Sequence, residues 1–332
     1  MQQSIHINQS SFYIFDETQS RLKKINFSEN TINTSTVITI GTFDGVHIGH
    51  QKIIQQLVNA SKEGNLQSCV LTFFPHPRMV LQKDANIKLI NTIDERSQLL
   101  EKAGVDLLYI KTFNKEFSRM NAEDFVKQIL VDVLHAKRVI IGYDHRFGRN
   151  RSADINDLRK YGEVYGFTVD EIPMQDVEDI AVSSTKIRKA LLEGDLDTAN
   201  SFLGQPFILT GRVTKGKQLG KTIGFPTANV YIEETYKLIP KHGAYIVRSN
   251  IGERIVYGMM NIGLNPTVNG DKESIEVHYF DFSQNLYGEK IQVEVLFRLR
   301  DEQQFDSIEN LKQQLERDKV FSQQYISKNY AQ

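Results

Sequence analysis

Short apolar runs alternate with amphipathic segments along residues 37–203 of the chain. The apolar runs predict buried strands, and apolar positions spaced three or four apart predict helices. The predicted strands span 37–40, 68–73, 107–110, 139–141 and 167–169, and the predicted helices span 50–60, 94–103, 121–134 and 155–165. This alternation predicts an α/β domain whose parallel sheet is covered by helices on both faces. Ligands of such sheets bind at the carboxyl ends of the strands.

The pattern changes in the second half of the chain. Two short helices are predicted at 185–194 and 195–204, and Asp195 is a favourable N-cap for the second of them. Beyond Phe207, short β-rich runs separated by glycine or polar turns predict a small closed antiparallel barrel. A polar helix that begins at Ser307 is expected to follow the barrel.

Composition limits the classes of protein that remain. A chain of 332 residues fits two domains, for which we expect 1–204 and 205–332, while the first 35 residues show no readable pattern. The formal net charge of -1 provides no global field for nucleic acid or an anionic membrane, so any anion site must be local. The single cysteine, Cys69, cannot form an intrachain disulfide and lies in an apolar run. With no leader or membrane-length apolar run, we expect a cytoplasmic protein of open oligomeric state.

The first chemical motif is Gly41-Thr-Phe-Asp-Gly-Val-His47-Ile-Gly-His50, at a predicted strand-to-helix junction. Its glycines allow close approach to a phosphate chain, and imidazole N–H groups and a helix N-terminus both favour negative charge. We therefore expect this turn to bind a nucleotide. A zinc site is disfavoured because no nearby Cys/Glu set completes the ligands. Surface histidines on a tight turn are the remaining alternative. The residues expected to contact the nucleotide are Gly41, Phe43, Asp44, His47, Gly49 and His50.

The second motif is Val182-Ser-Ser-Thr185-Lys-Ile-Arg188, at the start of a predicted helix. Alone, it is better interpreted as a helix cap with solvated basic residues. Together with the histidine motif, it predicts the second wall of a triphosphate site, in which Ser184, Thr185 and Arg188 hold phosphate groups.

The third motif runs from Gly211 to Asn229 and is rich in glycine and lysine. Its Gly-Lys-Thr string mimics the end of a Walker A loop, but the glycine spacing fails and a proline interrupts the helix that should follow. Backbone N–H groups of such a loop can still cradle phosphates, and Thr227 and Asn229 offer oxygen ligands for Mg²⁺. A flexible basic hairpin is the alternative. The expected phosphate-binding residues are Gly216, Lys217, Gly220 and Lys221.

The fourth motif is Ser274-Ile-Glu276-Val-His278-Tyr-Phe-Asp281-Phe. In a strand, Glu276 and His278 face the same side. A carboxylate beside a triphosphate pocket can accept a hydroxyl proton. We expect His278 and Asp281 to make structural hydrogen bonds.

Over residues 35–318 the chain resembles the bacterial bifunctional riboflavin kinase/FMN adenylyltransferase (FAD synthetase) family. The resemblance rests on the first three motifs together with Thr72-Phe-Phe-Pro-His-Pro77, Gly142-Tyr-Asp-His-Arg-Phe-Gly148 and Asn261-Ile-Gly-Leu-Asn-Pro-Thr267. It implies a Rossmann-like nucleotidylyltransferase domain followed by a riboflavin kinase barrel with a C-terminal helix. It also implies ATP with Mg²⁺, and riboflavin, FMN, FAD, ADP and pyrophosphate as substrates or products. It assigns His47, His50 and Glu276 to catalysis, and Pro75, His76, Asp144 and Phe147 to flavin binding.

Three positions depart from the family's pattern, namely Phe74, His145 and Ala153, and all lie in the first half. They leave open a riboflavin kinase fused to an inactive or altered nucleotidylyltransferase domain. A non-catalytic flavin or nucleotide sensor is a further alternative, although a sensor needs no general base. An aminoacyl-tRNA synthetase shares the histidine turn, but no Lys-Met-Ser-Lys-Ser string is present.

Overall fold

The computed structural model describes residues 11–14, 23–26, 34–82, 86–142, 145–172, 182–216, 219–267 and 270–330. Asp144 and Lys217, two of the predicted site residues, lie outside these ranges. The chain divides into two compact units. The first unit is Met1–Lys88 with Ile93–Ser183, and the second unit is Leu89–Thr92 with Ser184–Gln332. The expected domain boundary after Gly204 stays a prediction.

The described part of the first unit contains a seven-stranded sheet in the order β2-β1-β5-β4-β3-β6-β7. Its strands are β1 (Ser11–Ile14), β2 (Lys23–Asn26), β3 (Thr36–Ile40), β4 (Gln67–Phe74), β5 (Leu107–Thr112), β6 (Ala136–Gly142) and β7 (Thr168–Ile172). The five strands from β3 to β7 are parallel, as predicted. β1 pairs antiparallel with both β2 and β5, at the edge of the sheet.

Helices connect these parallel strands. They are α1 (Ile48–Gly64), α2 (Pro77–Leu81), α3 (Ile93–Lys102), α4 (Ala122–Phe125) and α5 (Ile155–Tyr165). α1 buries Ile54, Leu57 and Val58, the apolar face that predicted it. The helix predicted at 121–134 is irregular, because α4 continues into a wider π-helical segment at Val126–Val131. That segment still buries the apolar side chains that produced the periodic signal.

The order of the parallel strands creates a site for ligands. From β3 the chain proceeds to β4 and β5 on one side and then returns to β6 on the other side of β3. The connection after β3 therefore runs to one side of the sheet and the connection after β6 runs to the other side. This leaves a crevice at the carboxyl ends of these two neighbouring strands. The turn that follows β3 at this crevice is the histidine motif that ends at His50.

The second unit contains a closed six-stranded barrel in its described residues, in the order β10-β11-β12-β9-β8-β13, with every pairing antiparallel. Its strands are β8 (Phe207–Thr214), β9 (Ala228–Tyr231), β10 (Gly243–Ile251), β11 (Arg254–Thr267), β12 (Gly270–Tyr279) and β13 (Lys290–Asp301). Its helices are α6 (Ser184–Glu193), α7 (Leu196–Leu203), α8 (Leu219–Thr222) and α9 (Ile308–Tyr330). Asp195 caps α7 by accepting a hydrogen bond from the Thr198 backbone N–H, as predicted.

Four residues from the first half of the sequence, Leu89–Thr92, belong to the second unit. Leu89 pairs with Lys237 in a parallel bridge. The ammonium group of Lys237 donates to the carbonyls of Ile90 at 2.6 Å and Ile208 at 2.7 Å, and its side chain is 3% exposed. This buried cation fastens the four-residue segment beside the barrel, a contact that no sequence pattern predicted.

Cys69 is fully buried in the core of the first unit, and burial raises the pKa of its thiol to about 12. The prediction that it packs as a small apolar residue is confirmed. Among the described residues, no helix combines the length and the hydropathy that a membrane span requires.

Candidate functional site

The histidine turn after β3 has a strained backbone. Phe43 and Val46 have φ angles of 47° and 42°, in the left-handed region that side chains other than glycine rarely adopt. Gly45 between them has a φ of 93°. Such residues cost about 1–3 kcal/mol each and concentrate at functional sites. The turn is also tightly packed, because a Cβ at Gly41 would stand 2.9 Å from the ring of Phe43.

His47 and His50 form a pair at the start of α1. Their rings stack with centroids 3.6 Å apart and an interplanar angle of 15°. His47 is the N-cap of α1, and its Nδ1 accepts a hydrogen bond from the His50 backbone N–H at 3.3 Å. A neutral His47 that accepts at Nδ1 carries its proton on Nε2.

His50 lies in an environment that favours its neutral form. Its Nδ1 is shielded from solvent and has no hydrogen-bond partner among the described residues. Burial, with smaller contributions from His47 and Arg96, lowers the pKa of His50 well below its usual value. A neutral imidazole can donate a hydrogen bond to an arriving phosphate, and no ion pair has to be broken first.

A buried arginine under the turn was not predicted from the sequence. Arg96 on α3 is 1% exposed, and its Nη2 lies 3.4 Å from Oδ1 of Asp44, whose side chain is also 1% exposed. Its Nη1 lies 3.5 Å from the Thr72 hydroxyl at the end of β4. Its position in the sequence does indicate burial. Arg96 falls three residues after Ile93 and four before Leu100, which places it on the apolar face of the helix.

The other predicted residues of the adenylyltransferase site lie in several places. His76 caps α2, because its Nδ1 accepts a hydrogen bond from the Arg78 backbone N–H, and Pro75 beside it is half-buried. Phe147 packs in the core 5.8 Å from the ring of Phe125. Ser184, Thr185 and Arg188 begin α6 in the second unit, so their meeting with His47 and His50 stays a prediction. Flavin contacts of these residues are likewise predictions.

In the second unit, three predicted residues of the kinase site lie close together: Glu276 on β12, Asn229 on β9 and Thr227 just before β9. The Thr227 hydroxyl donates a hydrogen bond to Oε2 of Glu276 at 3.1 Å. Asn229 on β9 and Asn261 on β11 are the register partners of Glu276 from either side. Directly opposed residues share a face of the sheet, so both asparagines lie on the face that carries Glu276.

The side chain of Glu276 lines a cavity of about 330 Å³. Thr227, Asn261 and Glu276 line it, as do the polar residues Arg300, Glu302, Gln303 and Asp318, and the remaining lining is mostly apolar. The main apolar lining residues are Ile223, Phe225, Met259, Phe305, Leu311 and Leu315. A cavity of this size, apolar with a few convergent polar groups, is typical of a small-molecule site.

The glycine-rich loop reaches the same place. Gly220 lines the cavity, and a Cβ at Gly216 would stand 2.5 Å from Cγ of Asn229. The described ends of the loop therefore lie close to Asn229 and to the cavity, where backbone N–H groups could bind phosphate. Lys221 is exposed beside it.

His278 lines the cavity next to Glu276, and its Nδ1–H donates to the Pro226 carbonyl at 2.8 Å. Burial lowers the pKa of His278. The expectation that this histidine makes a structural hydrogen bond is confirmed, because the bond fixes the strand segment that carries Thr227.

The side chains next to Glu276 offer oxygen donors of the kind that a hard metal ion prefers. Within the described ranges, no group of three or more His, Cys, Asp or Glu side chains could hold a metal. Thr227, Asn229 and Glu276 provide a hydroxyl, an amide and a carboxylate oxygen, a hard donor set that fits Mg²⁺ bound mainly through substrate phosphates and water.

The first unit has a sheet with a histidine turn at its switch point, and the second unit has a barrel with a carboxylate near a glycine-rich loop. Together these features define a two-domain enzyme that transfers phosphate-containing groups. Residues 7–186 match the family model for FAD synthetase, and residues 203–326 match that for riboflavin kinase. The chain belongs to the family of bifunctional riboflavin kinase/FMN adenylyltransferases. The ATP-dependent reactions of this family imply a divalent metal ion.

Relatives cover both halves of the chain. A bifunctional riboflavin kinase/FMN adenylyltransferase from Listeria monocytogenes is 37% identical over 88% of this chain and 93% of its own length. The protein of the same name from Haemophilus influenzae is 39% identical over 87% of this chain and 94% of its own length. A crystal structure from Streptococcus pneumoniae, described as a macrolide-efflux protein, has a TM-score of 0.79 and 32% identity, covering 91% of this chain and 96% of its own.

Proposed function

We propose that this chain converts riboflavin to FMN in its barrel and FMN to FAD in its α/β unit, using ATP in both steps. The observation that carries the proposal is the contact between Thr227 and Glu276 at the wall of a largely apolar cavity. A flat flavin ring suits the apolar part. The hydroxyl at the end of its ribityl chain can then reach the carboxylate.

In the kinase step, the ribityl 5′-oxygen attacks the γ-phosphorus of ATP and ADP leaves. Glu276 accepts the hydroxyl proton, and the donated hydrogen bond from Thr227 holds the carboxylate in place. The loop from Gly216 to Lys221 binds the phosphates through its backbone N–H groups. Positioning and charge stabilisation provide most of the acceleration in phosphoryl transfer.

Thr227 and Asn229 would hold Mg²⁺ in this site. When bound, the ion neutralises charge on the phosphate oxygens.

In the adenylyltransferase step, a phosphate oxygen of FMN attacks the α-phosphorus of a second ATP and pyrophosphate leaves. The FMN phosphate is already anionic, so no general base is needed. His47 and His50 donate hydrogen bonds to the α-phosphate from the N-terminus of α1. Ser184, Thr185 and Arg188 hold the departing pyrophosphate. We place both reactions in the cytoplasm, without a nucleic-acid or membrane partner.

The test supplies the purified chain with riboflavin and MgATP, and separately with FMN and MgATP, and resolves flavins by chromatography. We expect riboflavin to give FMN with ADP and then FAD with pyrophosphate, and FMN to give FAD with pyrophosphate. FMN without FAD would indicate a kinase whose first unit is inactive or altered. Binding without turnover would indicate a sensor.

A further inference from the structure

The cavity of the second unit has a wall that the barrel does not provide. The strands contribute Glu276 and its neighbours, whereas the opposite side consists of Phe305 and of Leu311 and Leu315 on α9. Leu315 packs against the Phe225–Met259 cluster of the barrel. The flavin-sized space therefore exists only while α9 stays in its present position.

One arginine connects the elements of this wall. Arg300 lies at the end of β13, and its Nε and Nη2 donate to Oδ2 of Asp318 on α9 at 3.0 and 2.8 Å. Its Nη1 donates to the Asp301 carbonyl at 3.1 Å. The guanidinium carbon lies 6.0 Å from the centre of the Phe305 ring. One side chain thus contacts both α9 and the loop before it.

The carboxylate of Asp318 is fully engaged. Its Oδ1 accepts from Gln314 Nε2 at 2.8 Å and from Arg300 Nε at 3.3 Å. The side chains of Arg300 and Asp318 are 17% and 7% exposed, so solvent screens the pair weakly. A forked, charge-assisted contact of this kind fixes orientation as well as distance.

Neither Arg300 nor Asp318 takes part in the proposed phosphoryl transfer. Both line the cavity, yet the donors of Arg300 that face Asp318 are occupied by that carboxylate. The apolar side chains of the same wall, Phe305, Leu311 and Leu315, are those that would contact a flat flavin ring.

We propose that Arg300 and Asp318 are positioning residues that hold α9 against the barrel and thereby set the affinity for riboflavin. The inference rests on the proposed kinase function of this cavity. Losing the pair loosens the wall formed by Phe305, Leu311 and Leu315, while Glu276, Thr227 and the phosphate loop keep their places.

The experiment compares Asp318→Asn and Arg300→Lys with Glu316→Gln, which removes an exposed carboxylate from the same helix. Charge-assisted hydrogen bonds of this strength correspond to roughly a 10–100-fold weaker riboflavin Kd, measured by flavin fluorescence titration. We expect the same rise in KM for riboflavin, with kcat and the KM for MgATP within about twofold of the unaltered enzyme. Arg300→Lys should lose less riboflavin affinity than Asp318→Asn, because lysine keeps the positive charge and loses only the forked geometry. Glu316→Gln should match the unaltered enzyme.

Two outcomes separate this inference from the function on which it rests. If the unaltered chain does not bind or phosphorylate riboflavin, the proposed function is wrong. If the unaltered chain is active and both pair variants, folded by circular dichroism, retain its riboflavin Kd, the positioning role is refuted. A fall in kcat at unchanged Kd would also contradict it. Arg300→Lys keeps the test decisive if Asp318→Asn fails to fold.

Discussion

Arg96 provides a quantitative test of the first site, because its charge is buried beneath the histidine turn. Arg96→Met keeps the length of the side chain and removes the cation. At 3.4 Å from Asp44, Coulomb's law with an effective dielectric constant of about 20 gives roughly 5 kcal/mol for the pair. Removing one partner of a buried pair costs about 3–5 kcal/mol, since the other charge stays buried. We expect a loss of that size in the stability of the first unit.

The assay is urea unfolding followed by hydrogen exchange, read by mass spectrometry on peptides from α1, α3 and β3. The matched control is Arg159→Met, which breaks an ion pair with Glu171 whose side chains are 44% and 36% exposed. Exposed pairs contribute about 0–1 kcal/mol, so the control should remain near the unaltered chain. Asp44→Asn in the Arg96→Met background should restore part of the lost stability, because the buried charge is then absent.

The same variant has a catalytic consequence. Asp44 belongs to the turn that carries His47 and His50, so we expect Arg96→Met to lower FAD formation from FMN while FMN formation from riboflavin stays normal. If Arg96→Met unfolds like Arg159→Met, the electrostatic reasoning is wrong. If FAD formation is unchanged, Arg96 does not organise the turn.

Two further predictions concern a glycine and the cysteine. Gly216→Ala should raise the KM for MgATP in the kinase reaction because its Cβ displaces the amide of Asn229, and it should have no further effect in an Asn229→Ala background; additive effects would exclude the clash. Cys69, with its pKa raised to about 12 by burial, should resist iodoacetamide at pH 8.5 in the folded chain and react once unfolded. Rapid labelling of the folded chain would contradict its burial.

Much of the fold could be predicted because its elements are encoded locally. α5 spans the residues that the apolar spacing indicated, with Asp154 and Asp157 forming the capping box that starts it. The alternation of strands and helices was sufficient to predict the parallel sheet. β1 and β2 were missed because strands of four residues carry little periodic signal.

The candidate sites could be predicted only in part. Thr227 and Glu276 are 49 residues apart, and strand pairing in the barrel brings them into contact. Their motifs were informative because each residue type suits phosphate chemistry. Lys237 and the Arg300–Asp318 pair gave no such signal, since a buried cation is recognised only once its carbonyl or carboxylate partners are known.

The central claim is that each unit carries its own reaction. Measuring one variant of each site in both assays tests this claim most directly. His50→Ala and Glu276→Gln are each measured for FMN formation from riboflavin and for FAD formation from FMN. Glu276→Gln should lower only FMN formation, by about 10²–10⁴-fold, because the isosteric amide can still accept from Thr227 but takes no proton. His50→Ala should abolish only FAD formation. A substitution that impairs both reactions equally, or neither, would contradict the account.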